Sequence, residues 1–111
     1  MLATERNELL KAFQSKANTI LVGKWQDYSN EDVLSSFKET ALSAGLPPRR
    51  VAEVFIGTKL ARLRNLLREK CGKTPNFESI EDTLIDMYNY VFLLHLLIKE
   101  ESYATNWIKD A

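Results

Sequence analysis

The sequence predicts an all-α protein, a four- to five-helix bundle, and three observations carry that prediction. Apolar residues recur at three- and four-residue steps over long stretches, two segments have the form of helix-start signals, and no alternating strand pattern of useful length occurs. The first helix is expected from about Thr4 to Leu21, where Leu9, Leu10, Phe13, Ala17, Ile20 and Leu21 share helical spacing. Gly23 and the segment Lys24-Trp25-Gln26-Asp27-Tyr28 are expected to interrupt it. Ser29-Asn30-Glu31-Asp32 then has the form of a capping box, in which a hydroxyl serves the helix amides and an acid three residues on reaches back. The second helix is expected to follow, burying Val33, Leu34, Phe37, Ala41 and Leu42, and to end at Gly45 as a C′ glycine.

Pro47-Pro48 suits the start of a third helix, because the first turn needs no intrahelical amide donor. This helix is expected from about Pro48 to Glu69, with Gly57 inside it and Gly72 as a C′ candidate beyond it. Ser79-Ile80-Glu81-Asp82 repeats the capping-box form, so the fourth helix is expected to begin near Ile80. It contains the run Val91-Phe92-Leu93-Leu94-His95-Leu96-Leu97-Ile98, apolar on nearly all sides, which marks it as the central helix or as a subunit interface. Oligomerisation through this fourth helix is the expectation. Residues 102–108 either extend it or form a short fifth helix.

A chain of 111 residues fits one domain, and a single helical domain over 1–111 is expected. Its 45% hydrophobic and 27% charged content is that of an ordinary globular chain. No apolar run reaches the ~18 residues of a membrane span, so no membrane is expected as partner. Glu5, Arg6 and Glu8 stand where a secretory leader would be apolar, and Cys71 is the single cysteine. Both point to a reducing, cytoplasmic location. The net charge is zero, yet residues 46–73 hold eight basic and two acidic side chains, while 76–111 hold seven acidic and two basic. Opposite blocks of this kind are expected to face each other, with room for a small anionic ligand but not for long nucleic acid as a partner.

On the fourth helix Asp82, Asp86 and Asn89 stand at i, i+4 and i+7 and so share a side. Glu78 can extend the row. Two carboxylates and a carboxamide in line can take a magnesium ion, a hard cation that prefers oxygen ligands, although no cofactor is required by the sequence. On the third helix Lys59 and Arg62 stand at i and i+3, with Phe55 and Leu66 along the same stripe. They can pair with Asp82 and Asp86 as structural salt bridges, or hold phosphate oxygens, arginine by its planar fork and lysine as a point charge. Trp25 and Tyr28 can stack on a base or plug the end of the bundle. His95 and Cys71 have no sequence neighbours that would make a metal or catalytic constellation, and read as structural. Phosphate-loop, nucleophile-elbow and HExxH motifs are absent from the sequence.

Tyr28, Phe37-Lys38-Glu39-Thr40-Ala41, Gly45, Val51, Lys59-Leu60-Ala61-Arg62-Leu63 and the element Glu78 to Tyr90 together resemble a small helical family of phages and bacteria. It is described as a nucleotide-modification-associated domain and is similar to the MazG-type all-α nucleotide pyrophosphohydrolases. The resemblance covers roughly residues 24–98, and its most specific part is Asp82-x-x-x-Asp86-x-x-Asn89-Tyr90. It implies an oligomeric helical domain that handles nucleotides, with the Lys59 and Asp82/Asp86 rows at the site. MazG-type hydrolases also carry a Glu-x-x-Glu pair on a preceding helix, and here Lys59-Leu60-Ala61-Arg62 occupies the analogous spacing. Cations in place of carboxylates remove metal ligands and add anion ligands. The leading expectation is therefore a protein that holds or sequesters a phosphate-containing nucleotide, in the host cytoplasm if phage-encoded. A magnesium-dependent pyrophosphohydrolase, with Asp82 and Asp86 on the metal and Glu78 or Glu39 beside them, is the alternative. A purely structural or protein-binding bundle is the third.

Overall fold

The structure is a computed structural model and describes residues 1–27, 34–68 and 77–105, without the side chains of residues 26, 27, 77, 78, 104 and 105. The described residues form four α-helices: α1 (Ala3–Asp27), α2 (Ser35–Ala44), α3 (Pro48–Leu67) and α4 (Phe77–Thr105). They contain no strand, so the all-α expectation holds. No helix among them is long and apolar enough to cross a membrane. The chain divides into two compact units, Met1–Val33 and Leu34–Ala111.

The first unit is the long helix α1. It runs on through Gly23, Lys24 and Trp25, where an interruption was expected. A single glycine inside a helix costs only about 1 kcal/mol relative to alanine, too little to end an otherwise continuous pattern. Its side chains from Met1 to Ala12 are all exposed. Tyr28, the capping box at 29–32 and Val33 lie outside the described residues.

In the second unit α2 packs against α3, and α3 packs along α4. The start of α2 is Leu34, whose backbone oxygen accepts from the amides of Phe37 at 3.1 Å and Lys38 at 3.2 Å, with no side-chain cap. Its end is as expected. Gly45 has φ 68°, in the left-handed region, its amide donates to the Leu42 oxygen at 3.4 Å, and the Leu46 amide donates to the Ala41 oxygen at 3.0 Å. This 6→1 and 5→2 pair is the Schellman motif, which satisfies two carbonyls that the helix leaves orphaned. Leu34, Phe37 and Ala41 are buried, but Leu42 is 86% exposed. One residue past Ala41, the helix has turned about 100° away from the core, and apolar character alone does not bring Leu42 inside.

Pro47 adopts φ −62° and ψ 145°, and Pro48 opens α3, so the prolines do what their missing amides allow. The helix ends at Leu67, and Gly72 and Cys71 lie outside the described residues. The start of α4 departs from expectation: it begins at Phe77, and Ser79 is inside its first turn rather than before it. There the Ser79 oxygen accepts from the Thr83 hydroxyl at 2.8 Å, an ordinary i−4 back-bond. At the other end α4 runs to Thr105, so residues 102–105 extend it; residues 106–111 lie outside the description.

The pairings across α3 and α4 run in opposite directions along the chain. Arg49 meets Glu101, Phe55 meets Tyr90, Lys59 meets Asp86 and Arg62 meets Thr83, which makes the two helices an antiparallel pair. Phe37 of α2 closes one side of this pair, edge-on to Phe55 at 5.9 Å and to Tyr90 at 6.4 Å between ring centroids. At the far end Lys38 and Arg49 form ion pairs with Glu100 and Glu101, which pin the last turns of α4 to the α2–α3 corner. The interior of this unit takes Val51 and Ala52 from α3 and Ile85, Leu93 and Leu97 from α4. The expectation that α4 is buried all round is corrected, for it buries one face only. Leu84, Tyr88, Val91 and Phe92 are 40–53% exposed on another, and His95 is exposed with them rather than in the core.

Candidate functional site

The α3–α4 seam brings the basic and acidic rows together, in rungs that alternate in character. The aromatic rung comes first, with Phe55 and Tyr90 ring centroids 5.4 Å apart. One turn further along α3, Lys59 Nζ lies 3.0 Å from Asp86 Oδ2, and these side chains are 29% and 23% exposed. One turn beyond, Arg62 Nε donates to Thr83 Oγ1 at 3.3 Å. The rungs follow from helix periodicity: steps of four and three on α3 (55, 59, 62) are matched by steps of four and three on α4 (90, 86, 83).

Of the expected salt bridges, Lys59 to Asp86 is present. Arg62 instead engages a hydroxyl, and among the described residues no carboxylate pairs with it. Thr83 is 2% exposed and is itself held by the Ser79 carbonyl, so the acceptor under Arg62 is fixed from below. Its hydroxyl proton goes to that carbonyl, which leaves an oxygen lone pair for the Nε–H of Arg62. The guanidinium thus has one edge anchored on α4, while its terminal nitrogens find no acceptor among the described residues. Arg62 is exposed.

The three members of the α4 row lie on one side of the helix but in different surroundings. Asn89 is buried at 5% exposure, Asp86 is half-buried against Lys59, and Asp82 is exposed. Among the described residues no group of three histidine, cysteine, aspartate or glutamate side chains is placed to hold a metal ion. The Glu78 side chain, which would extend the row, lies outside the description, and Glu39 is exposed on α2. Asp86 has a lysine ammonium where a magnesium ligand would need an open approach, so the residues present fit an anion better than a cation.

A groove of about 630 Å³ runs beside α3, lined by Thr58, Lys59, Ala61, Arg62, Asn65 and Leu66. Two cations, a hydroxyl and a carboxamide therefore face one space, and donors outnumber acceptors there. Phe55, 38% exposed, stands one turn before Lys59 on the same helix. Sequence reasoning placed the aromatic contribution at Trp25 and Tyr28. Trp25 lies in the last turn of α1, in the other unit, and Tyr28 is outside the described residues. The signal for Phe55 was available, since it falls on the stripe of Lys59 and Arg62. Thr83 was missed as the anchor of Arg62, because nothing in a single sequence pairs that hydroxyl with a residue on another helix.

Compared with family models, curated proteins and solved structures, the chain has no significant match to any of them.

Proposed function

We propose that the Leu34–Ala111 unit binds a phosphate-containing nucleotide at the α3 groove and holds it without cleaving it. The observation that carries this reading is the anchored Arg62: its Nε is tied to Thr83, and the rest of the guanidinium is exposed beside Lys59. An arginine fixed by one edge loses little further freedom on meeting an anion, and its planar fork matches two phosphate oxygens. Lys59 supplies the second charge, shared with Asp86 until the ligand competes for it. Asn65 and Thr58 offer neutral donors along the same groove. Phe55 offers an exposed aromatic surface one turn away, which suits a base, and stacking of this kind contributes about 1–3 kcal/mol. The resemblance to nucleotide-handling helical proteins points the same way.

The discriminating experiment is calorimetric titration of the chain with inorganic pyrophosphate and with nucleoside mono-, di- and triphosphates, with and without magnesium, followed by chromatography of the recovered ligand. The expected result is micromolar binding of a di- or triphosphate, recovery of the ligand intact, and a tenfold or greater loss of affinity in Arg62→Gln, in line with about 1.5–3 kcal/mol for a charge-assisted hydrogen bond. Absence of heat across the series would remove the nucleotide reading and leave the structural bundle. Turnover that needs magnesium and disappears in Asp86→Asn would replace holding by pyrophosphohydrolysis.

A further inference from the structure

The exposed side of α4 carries an apolar stripe that the groove does not use. Leu84, Tyr88, Val91 and Phe92 are 40%, 46%, 53% and 40% exposed, and His95 continues the line. Steps of four, three and four residues keep positions 84, 88, 91 and 95 on one side of the helix. Other exposed apolar residues, such as Leu42 on α2 and Val54 and Leu67 on α3, fall on separate faces and make no continuous surface. Glu81 stands at one end of the stripe and Lys99 at the other, both exposed. They are 18 positions apart, about five turns and about 27 Å, so they share one angular position on α4.

We infer that a second copy of this chain covers this stripe, with the two α4 helices antiparallel about a two-fold axis near Tyr90. That arrangement sets Glu81 opposite the partner's Lys99 and Lys99 opposite the partner's Glu81. Tyr88 then meets the partner's Phe92, and Leu84 lies near the partner's His95. A parallel pairing would set glutamate on glutamate and lysine on lysine, so the end charges select the antiparallel one. The stripe is self-complementary, as a two-fold interface requires, since the same patch must serve both copies. A membrane surface is a poorer occupant, because residues 76–111 hold seven acidic and two basic side chains and would be repelled by anionic lipid.

The test is sedimentation equilibrium of the full chain at low salt, repeated with charge variants. The wild type is expected at twice its 12.8 kDa mass. Glu81→Lys and Lys99→Glu are each expected to raise the dimer dissociation constant about three- to tenfold, the scale of exposed ion pairs lost in duplicate. The double reversal Glu81→Lys/Lys99→Glu is expected to return it to near the wild-type value. Val91→Glu is expected to give a monomer with an unchanged helical circular dichroism spectrum. A wild-type chain that stays monomeric at high micromolar concentration would overturn the inference. So would a double reversal whose defect is the sum of the single ones, a result that stands even if Val91→Glu fails to fold.

Discussion

Lys59 Nζ sits 3.0 Å from Asp86 Oδ2 in the seam between α3 and α4, and both side chains are about three-quarters removed from water. Half-buried pairs of this kind are asymmetric in their response to mutation. Removing one partner leaves a charge that has lost both its counterion and much of its hydration, whereas removing both leaves apolar surface. Asp86→Leu alone is expected to lower stability by about 1–2 kcal/mol, and Lys59→Met/Asp86→Leu to recover most of that loss. Urea unfolding of the three variants checks it, and an additive double variant would mean the pair is not coupled.

Thr83 is the acceptor that anchors Arg62, and Thr83→Val keeps its shape while removing the hydroxyl. The variant is expected to remain folded, with a stability loss of about 1 kcal/mol for the bonds removed. Pyrophosphate affinity is expected to fall several-fold, because the guanidinium must then be ordered by the ligand itself. If calorimetry gives wild-type affinity, the anchor has no part in binding.

Phe37 is the ring that α2 contributes to the Phe37–Phe55–Tyr90 cluster, and it is 6% exposed. Phe37→Ala is expected to cost about 3–5 kcal/mol through lost transfer energy and a cavity. A chain of this size has little more than that in reserve. Thermal unfolding followed at 222 nm should show a broad, strongly lowered transition.

The glycines should respond with opposite signs. Gly45 has a positive φ of 68° with open space where a Cβ would stand, so alanine there meets backbone strain alone and is expected to cost about 1–2 kcal/mol. Gly57 is inside α3, also with nothing near its missing Cβ, and Gly57→Ala is expected to stabilise by about 0.5–1 kcal/mol. Paired denaturant curves for the two variants decide both signs.

Local chemistry made part of this legible in advance. Gly45 and Pro48 were readable because their backbone preferences act without help from the rest of the chain. The Lys59–Asp86 seam was readable because two helical rows of opposite charge have one obvious way to meet. The start of α4 was misplaced because Ser79-Ile80-Glu81-Asp82 satisfies the capping pattern, yet a serine inside a first turn can bond within the helix instead. Leu42 and Gly23 show the same limit, since a residue's type does not fix which side of a helix will be covered, nor whether one glycine outweighs its neighbours. The anchoring of Arg62 depends on a hydroxyl from another helix, and such long-range neutral pairs leave no periodic trace.

The rungs of the seam also bear on how the chain avoids misassembly. Helical pairs glued by uniform apolar side chains can slide by a turn at small cost. Here a one-turn slip would set Phe55 against Asp86 and Lys59 against Asp82 or Tyr90, trading a stacked ring pair for an aromatic beside a carboxylate. The alternation of ring, ion pair and hydroxyl works like the teeth of a key, and only one depth of insertion turns.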